Sequence, residues 1–226
     1  MQPRLTRGEY WILETVVEMA VPLCFLATDH YDSPDGIAEM FNKTGHGLDD
    51  AQLLATLAAL FEKGWIEATR EGEPTALNTQ QLSVALKEPG PRFRDDSTYY
   101  QLTQEGGATW EAFAAPEWDR YLLEELYRPD DSDHAVKTGT VTCSTSWRVE
   151  KYLKYFDVAC GTLIQDSIVR ENLGPWNATY WKQLPSGTRA TFCWREMPDD
   201  SAHASDEYWL AFAGFCQFRE EWCHWR

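Results

Sequence analysis

The chain has 226 residues, 43 % apolar and 14 % aromatic with eleven Trp, which is enough material for two modest packed cores and excludes global disorder. Its 20 Lys and Arg stand against 36 Asp and Glu, a net charge of −16 that argues against binding a polyanion by surface charge. No run of about 18 apolar residues exists, and the longest, Met19 to Thr28, is interrupted by Pro22, so no membrane-spanning helix is expected.

In chain order, Gly8 to Phe25 places Ile12, Val16, Met19 and Leu23 at helical spacing and predicts a first amphipathic helix with Pro22 near its end. Ser33-Pro34-Asp35 caps and opens a short helix through about Asn42, closed by Gly45 and Gly47. Asp49, with Gln52 three residues on, forms a capping-box pattern ahead of the stripe Leu53, Leu54, Leu57, Leu60 and Phe61, and Gly64 stops this third helix. Trp65 to Thr69 and Ser97 to Leu102 read as strands, and Thr103 caps a helix from Gln104 to about Ala114. Between the strands, Arg70 to Asp96 is too long for a simple hairpin turn, and Asn78 to Glu88 inside it has the pattern of an extra short helix.

The order helix, helix, helix, strand, strand, helix, with Gly64-Trp65-Ile66 after the third helix and Tyr100-Gln101-Leu102-Thr103-Gln104-Glu105-Gly106 before the last, resembles bacterial winged-helix regulators of the MarR or PadR kind. The resemblance covers about residues 8–115. It implies an N-terminal winged helix with a long wing insertion, residues 70–96, and makes residues 49–63 the recognition helix. The polar face of that helix offers Asp49, Asp50, Gln52, Thr56, Glu62 and Lys63, which is the wrong sign for phosphate. Lys63 and Arg70, with Lys87, Arg92 and Arg94 further along the insertion, are the residues available to DNA, and Glu71, Glu73, Glu88, Asp95 and Asp96 balance them.

A helical run, Pro116 to Leu126, precedes the polar segment Arg128-Pro129-Asp130-Asp131-Ser132-Asp133, which we take as the linker between a domain at 1–127 and a second at 128–226. Ala135 to Cys143 predicts a strand, Ser146 to Phe156 an amphipathic helix, and Thr162 to Val169, Asn177 to Lys182 and Thr188 to Glu196 further strands. The turn Leu184-Pro185-Ser186-Gly187 suggests that the last two form a hairpin, and the tail from Asp206 puts Tyr208, Phe212, Phe215, Trp222 and Trp225 at helical spacing. The fold class expected is α+β, with an antiparallel sheet in a small second domain.

No motif for catalysis emerges. No HxxxH, HExxH or CxxC spacing occurs, Cys223-His224 are neighbours whose side chains diverge, and His30, His46, His134 and His203 read as isolated surface histidines. Gly106-Gly107 and Gly45-His46-Gly47 lack the surroundings of a phosphate loop. Six cysteines without CxxC pairs, and no export signal in Met1 to Tyr10, predict reduced thiols and a cytoplasmic location.

Charge is concentrated in the first half, with 9 basic and 22 acidic side chains in residues 1–125 against 11 and 14 in 126–226. We therefore expect a non-enzymatic, cofactor-free acidic binding module for a basic protein partner, of the immunity or inhibitor type that neutralises a toxin or nuclease. Asp49, Asp50, Gln52, Thr56, Asp130, Asp131 and Asp133 are its candidate contacts, with Trp176 and Trp225 as exposed aromatic anchors. The alternative is a winged-helix transcription regulator whose second domain senses a ligand or dimerises.

Overall fold

The computed structural model describes residues 4–28, 43–88, 96–127 and 136–196. The expected helix through Asn42, the 128–133 linker and the aromatic tail lie outside the described residues. Two compact units partition the chain: one is built on residues 1–115 and takes in 179–182, and the other holds the rest of 116–178 and the strands from Gln183 onward. Both combine helices with antiparallel sheet, so the α+β expectation holds. No helix among the described residues is long and apolar enough to cross a membrane.

The first unit opens with α1 (Arg7–Glu14), started by a capping box in which the Thr6 side chain accepts from the Glu9 amide and Glu9 reciprocates. Sequence periodicity carried this helix to Phe25, but it stops at Glu14. Val21 precedes a proline, a position that disfavours helical backbone, and Val21–Pro22 instead forms strand β1 on Tyr99–Tyr100. The four carbonyls that end α1 are all satisfied: Thr15, Val16 and Val17 amides donate to Trp11, Leu13 and Glu14, and the Thr15 hydroxyl donates to Ile12. After β1 come α2 (Leu23–Ala27), α3 (Lys43–His46) and α4 (Asp50–Glu62), the last capped by Asp49 with Gln52 as foreseen.

Strand β2 (Ile66–Arg70) turns at Glu71-Gly72 into β3 (Glu73–Thr75). Both turn residues have positive φ, 53° and 81°, the geometry that matches a two-residue hairpin to the twist of its strands. Helix α5 (Thr79–Ala85) follows, opened by a third capping box from Asn78 and Gln81, and the chain returns as β4 (Thr98–Leu102). The sheet order is β1-β4-β2-β3. Thr103 caps α6 (Gln104–Ala114), and its own amide and hydroxyl bond back to Trp65 and Gly64 carbonyls.

Gly106 and Gly107 have packing reasons. A methyl group on Gly106 would overlap the Trp65 carbonyl, and one on Gly107 would enter the ring of Trp181. That ring meets Trp110 edge-on at 6.1 Å, while its indole nitrogen donates to Val17 O at 2.9 Å. Beside it, Tyr180 donates to Val16 O and accepts from Leu102 N, each at 2.6 Å, and Lys182 pairs with Glu111. Among the described residues, 179–182 are thus the only part of the first unit that lies beyond residue 115.

In the second unit a 3₁₀ turn at Trp118–Arg120 leads into β5 (Leu122–Tyr127), which pairs along its length with β6 (Lys137–Cys143). The helix expected over Pro116 to Leu126 is absent. Leu122 and Leu126 suit a helix face as well as alternate positions of a strand, and pairing with β6 decides between them. The units accordingly divide at Ala115/Pro116 and not after residue 127, since β5 belongs to the second sheet.

Helix α7 (Ser146–Ala159) lays Val149, Tyr152, Leu153 and Phe156 on Val141, Ala190, Phe192 and Trp194 of the sheet, with Phe156 and Phe192 rings 5.0 Å apart. The central strand is β11 (Gly187–Arg195), flanked by β6 on one side and by β7 (Thr162–Leu163) and β8 (Val169–Leu173) on the other. The expected hairpin between 177–182 and 188–196 does not form. Both edges of β11 are taken by other strands, while Trp176–Asn177, as β9, pairs with Gln183–Leu184, as β10.

Candidate functional site

At the start of α4, two of the candidate contact residues, Asp49 and Asp50, are already engaged within the unit. Asp49 accepts from Gln52 N at 2.8 Å, and the Gln52 side chain accepts from Asp49 N at 3.0 Å, so both sit exposed at the helix start but bonded to each other. Asp50 is 81 % exposed and pairs with Lys43 Nζ at 2.7 Å, a hydrogen bond and charge that hold its carboxyl below the usual range. Thr56 is half-buried, and Glu62 is exposed at the far end.

His46 sets this helix start in place. It is a buried residue and not a surface one: its ring bonds to Leu26 O at 2.8 Å and accepts from Leu48 N at 3.0 Å. Accepting at Nδ1 fixes the proton on Nε2, and burial pushes the imidazole below its ordinary value of 6.5.

Pairing inside the first unit consumes lysines. Lys43, Lys63 and Lys182 are tied to Asp50, Glu9 and Glu111. Lys63, a candidate DNA contact, also stands 4.3 Å over the Trp65 ring. Asp49, Glu62, Glu71, Glu73 and Glu105 make no ion pair among the described residues. Arg4, Arg7, Arg70 and Lys87 are likewise exposed and make no ion pair among the described residues.

Trp176 is not an exposed anchor. Only 6 % of it is accessible, its indole donates to Ser186 O at 2.9 Å, and its ring stacks with Tyr121 at 6.5 Å. A position beside Pro175 suggested exposure, but the neighbouring Gly187 has no Cβ where the indole lies, and the strand closes over it. Among the described residues the exposed aromatics are Tyr127, Trp147 and Tyr180, at 68 %, 57 % and 42 %. Asp130, Asp131, Asp133, Trp225, Arg92 and Arg94 lie outside the described residues.

One further feature was not foreseen. A cavity of about 260 Å³ lies where α5 covers the outer part of the first sheet, lined by Arg70, Thr75, Leu77, Gln80, Gln81, Val84, Ala85, Glu88 and Thr98. Arg70 and Lys87, the cations the sequence offers to phosphate, are both exposed, and Arg70 lines this recess. The pattern of Asn78 to Glu88 is the sequence signal for the helix, but nothing local marks the space beside it.

Among the described residues no group of three or more His, Cys, Asp or Glu is placed to hold a metal ion. The described cysteines, Cys24, Cys143, Cys160 and Cys193, are free, and burial pushes the Cys24 and Cys160 thiols up, away from nucleophilic reactivity. The fold and this surface define an α+β protein with an acidic helical face. No known family model, curated protein or solved structure matches the chain.

Proposed function

We propose that this protein is a non-enzymatic acidic binding module that engages a basic protein partner, in the manner of an immunity or inhibitor protein neutralising a cationic toxin or nuclease. The observation that supports the reading is the acid excess of the chain, net −16 and concentrated in residues 1–125, with Asp49, Glu62, Glu71, Glu73 and Glu105 exposed on the first unit beside the exposed cations Arg4, Arg7, Arg70 and Lys87. Such a surface attracts cationic proteins and speeds their encounter.

Capture of partners on the full chain at about 50 and 300 mM salt, spanning Debye lengths from roughly 14 to 6 Å, tests it. Basic proteins, released by salt and recovered less well on Asp50→Lys/Glu62→Lys, are expected. Recovery of acidic partners alone, or none, would overturn the reading. Asp49 is left intact in this variant because it is a helix cap.

A second reading, a winged-helix transcription regulator, is supported by one specific observation. The strand after α4, β2, pairs antiparallel with β4, the strand that leads into α6, in keeping with the two strands the resemblance places before its last helix. Arg70 and Lys87 on the decorated wing would supply its cations. A mobility shift on genomic fragments at low salt is the outcome that would favour it over the first; no shift of any fragment ends it.

A further inference from the structure

The cavity beneath α5 holds two opposite charges that do not meet. Arg70 and Glu88 both line it, yet no ion pair joins them, and the Arg70 guanidinium makes no hydrogen bond among the described residues. They converge on one residue from two sides: Arg70 is the cross-strand partner of Thr98, and Glu88 accepts from Thr98 N at 3.0 Å and Oγ1 at 2.9 Å. Each carboxylate oxygen retains a further lone pair for another donor.

The remaining lining sorts into two kinds. Thr75, Gln80 and Gln81 bring a hydroxyl and two amides, while Leu77, Val84 and Ala85 bring an apolar wall, with Val84 63 % exposed at its edge. A cavity of about 150 Å³ is enough for a benzene ring. The 260 Å³ here accommodates a ring or branched aliphatic group with a short polar head.

We propose that this cavity binds a small zwitterionic α-amino acid with an apolar side chain, its carboxylate on Arg70, its ammonium on Glu88 and its side chain against Leu77, Val84 and Ala85. Electrostatics select the dipolar form. A simple anion would gain Arg70 but face Glu88 and a chain of net charge −16, and a simple cation would gain Glu88 but face Arg70. A molecule carrying both charges meets a complement to each and adds no net charge. This site is separate from the α4 face, and its fate does not depend on the function proposed above.

Calorimetric titration of the full chain with L-phenylalanine, phenylacetate and phenethylamine tests the assignment. Phenylalanine should bind, each singly charged analogue about tenfold or more weakly, and Arg70→Gln and Glu88→Gln should each weaken phenylalanine by about tenfold, the loss of one charge-assisted contact. Val84→Trp, at an exposed position that does not threaten folding, should block the entrance and abolish binding. No heat with phenylalanine, equal binding of phenylacetate, or an unchanged affinity in Val84→Trp would each overturn the proposal.

Discussion

His46 is the residue whose protonation the fold resists. Both ring nitrogens are committed to backbone groups in the neutral form, so the unfolded chain, with an imidazole near 6.5, takes up a proton before the folded chain does. Its contribution to stability is full above about pH 6.5 and is lost as pH falls through the lower folded value. Urea midpoints followed from pH 7.5 to 5 should decline, and His46→Gln, less stable at neutral pH, should show a shallower decline. Gly106 and Gly107 make an equally local prediction: Gly107→Ala forces the Trp181 ring aside and should cost about 2 kcal/mol or more, whereas Gly174→Ala, with open space around it, should be nearly silent in the same denaturation experiment.

At the level of elements, the capping residues of α4 separate structure from recognition. Asp49→Ala removes a capping box and should cost about 1 kcal/mol of stability, read as a lower thermal midpoint. Asp50→Ala, losing only an exposed pair with Lys43, should change stability by no more than a few tenths of a kcal/mol. If the α4 face recognises a basic protein, the ranking reverses for binding, and Asp50 matters more than its effect on folding suggests. Helix α5 carries a different load, because it packs on α4 and buries Leu82 and Ala85 while one side of it lines the cavity with Arg70, Thr75 and Thr98.

For the whole molecule, the first unit depends on residues that arrive late in the chain. Trp181→Ala would remove a buried indole, a partner of Trp110 and the donor to Val17 O, and should destabilise the first unit by roughly 3–5 kcal/mol, seen as early loss of its tryptophan fluorescence transition. Tyr180→Phe is milder, leaving Val16 O and Leu102 N without their shared hydroxyl.

Local signals in the sequence determined most of the elements. The capping box at Asp49, the helical pattern from Asn78, the Thr103 cap, Gly64 as a stop and the alternation of Trp65 to Thr69 are short-range chemistry, and each element stands within a residue or a few of where the sequence places it. The acid excess of the first half was equally plain, since charge is a sum over residues. Only the tertiary structure decided which strand β11 would choose, that Pro116 to Tyr127 holds a strand in place of a helix, and that Trp176 and His46 are buried. Those outcomes turn on pairing and packing between segments far apart in sequence, as does the recess that brings Arg70 and Glu88 together around Thr98. Periodicity along one segment carries no record of what covers it.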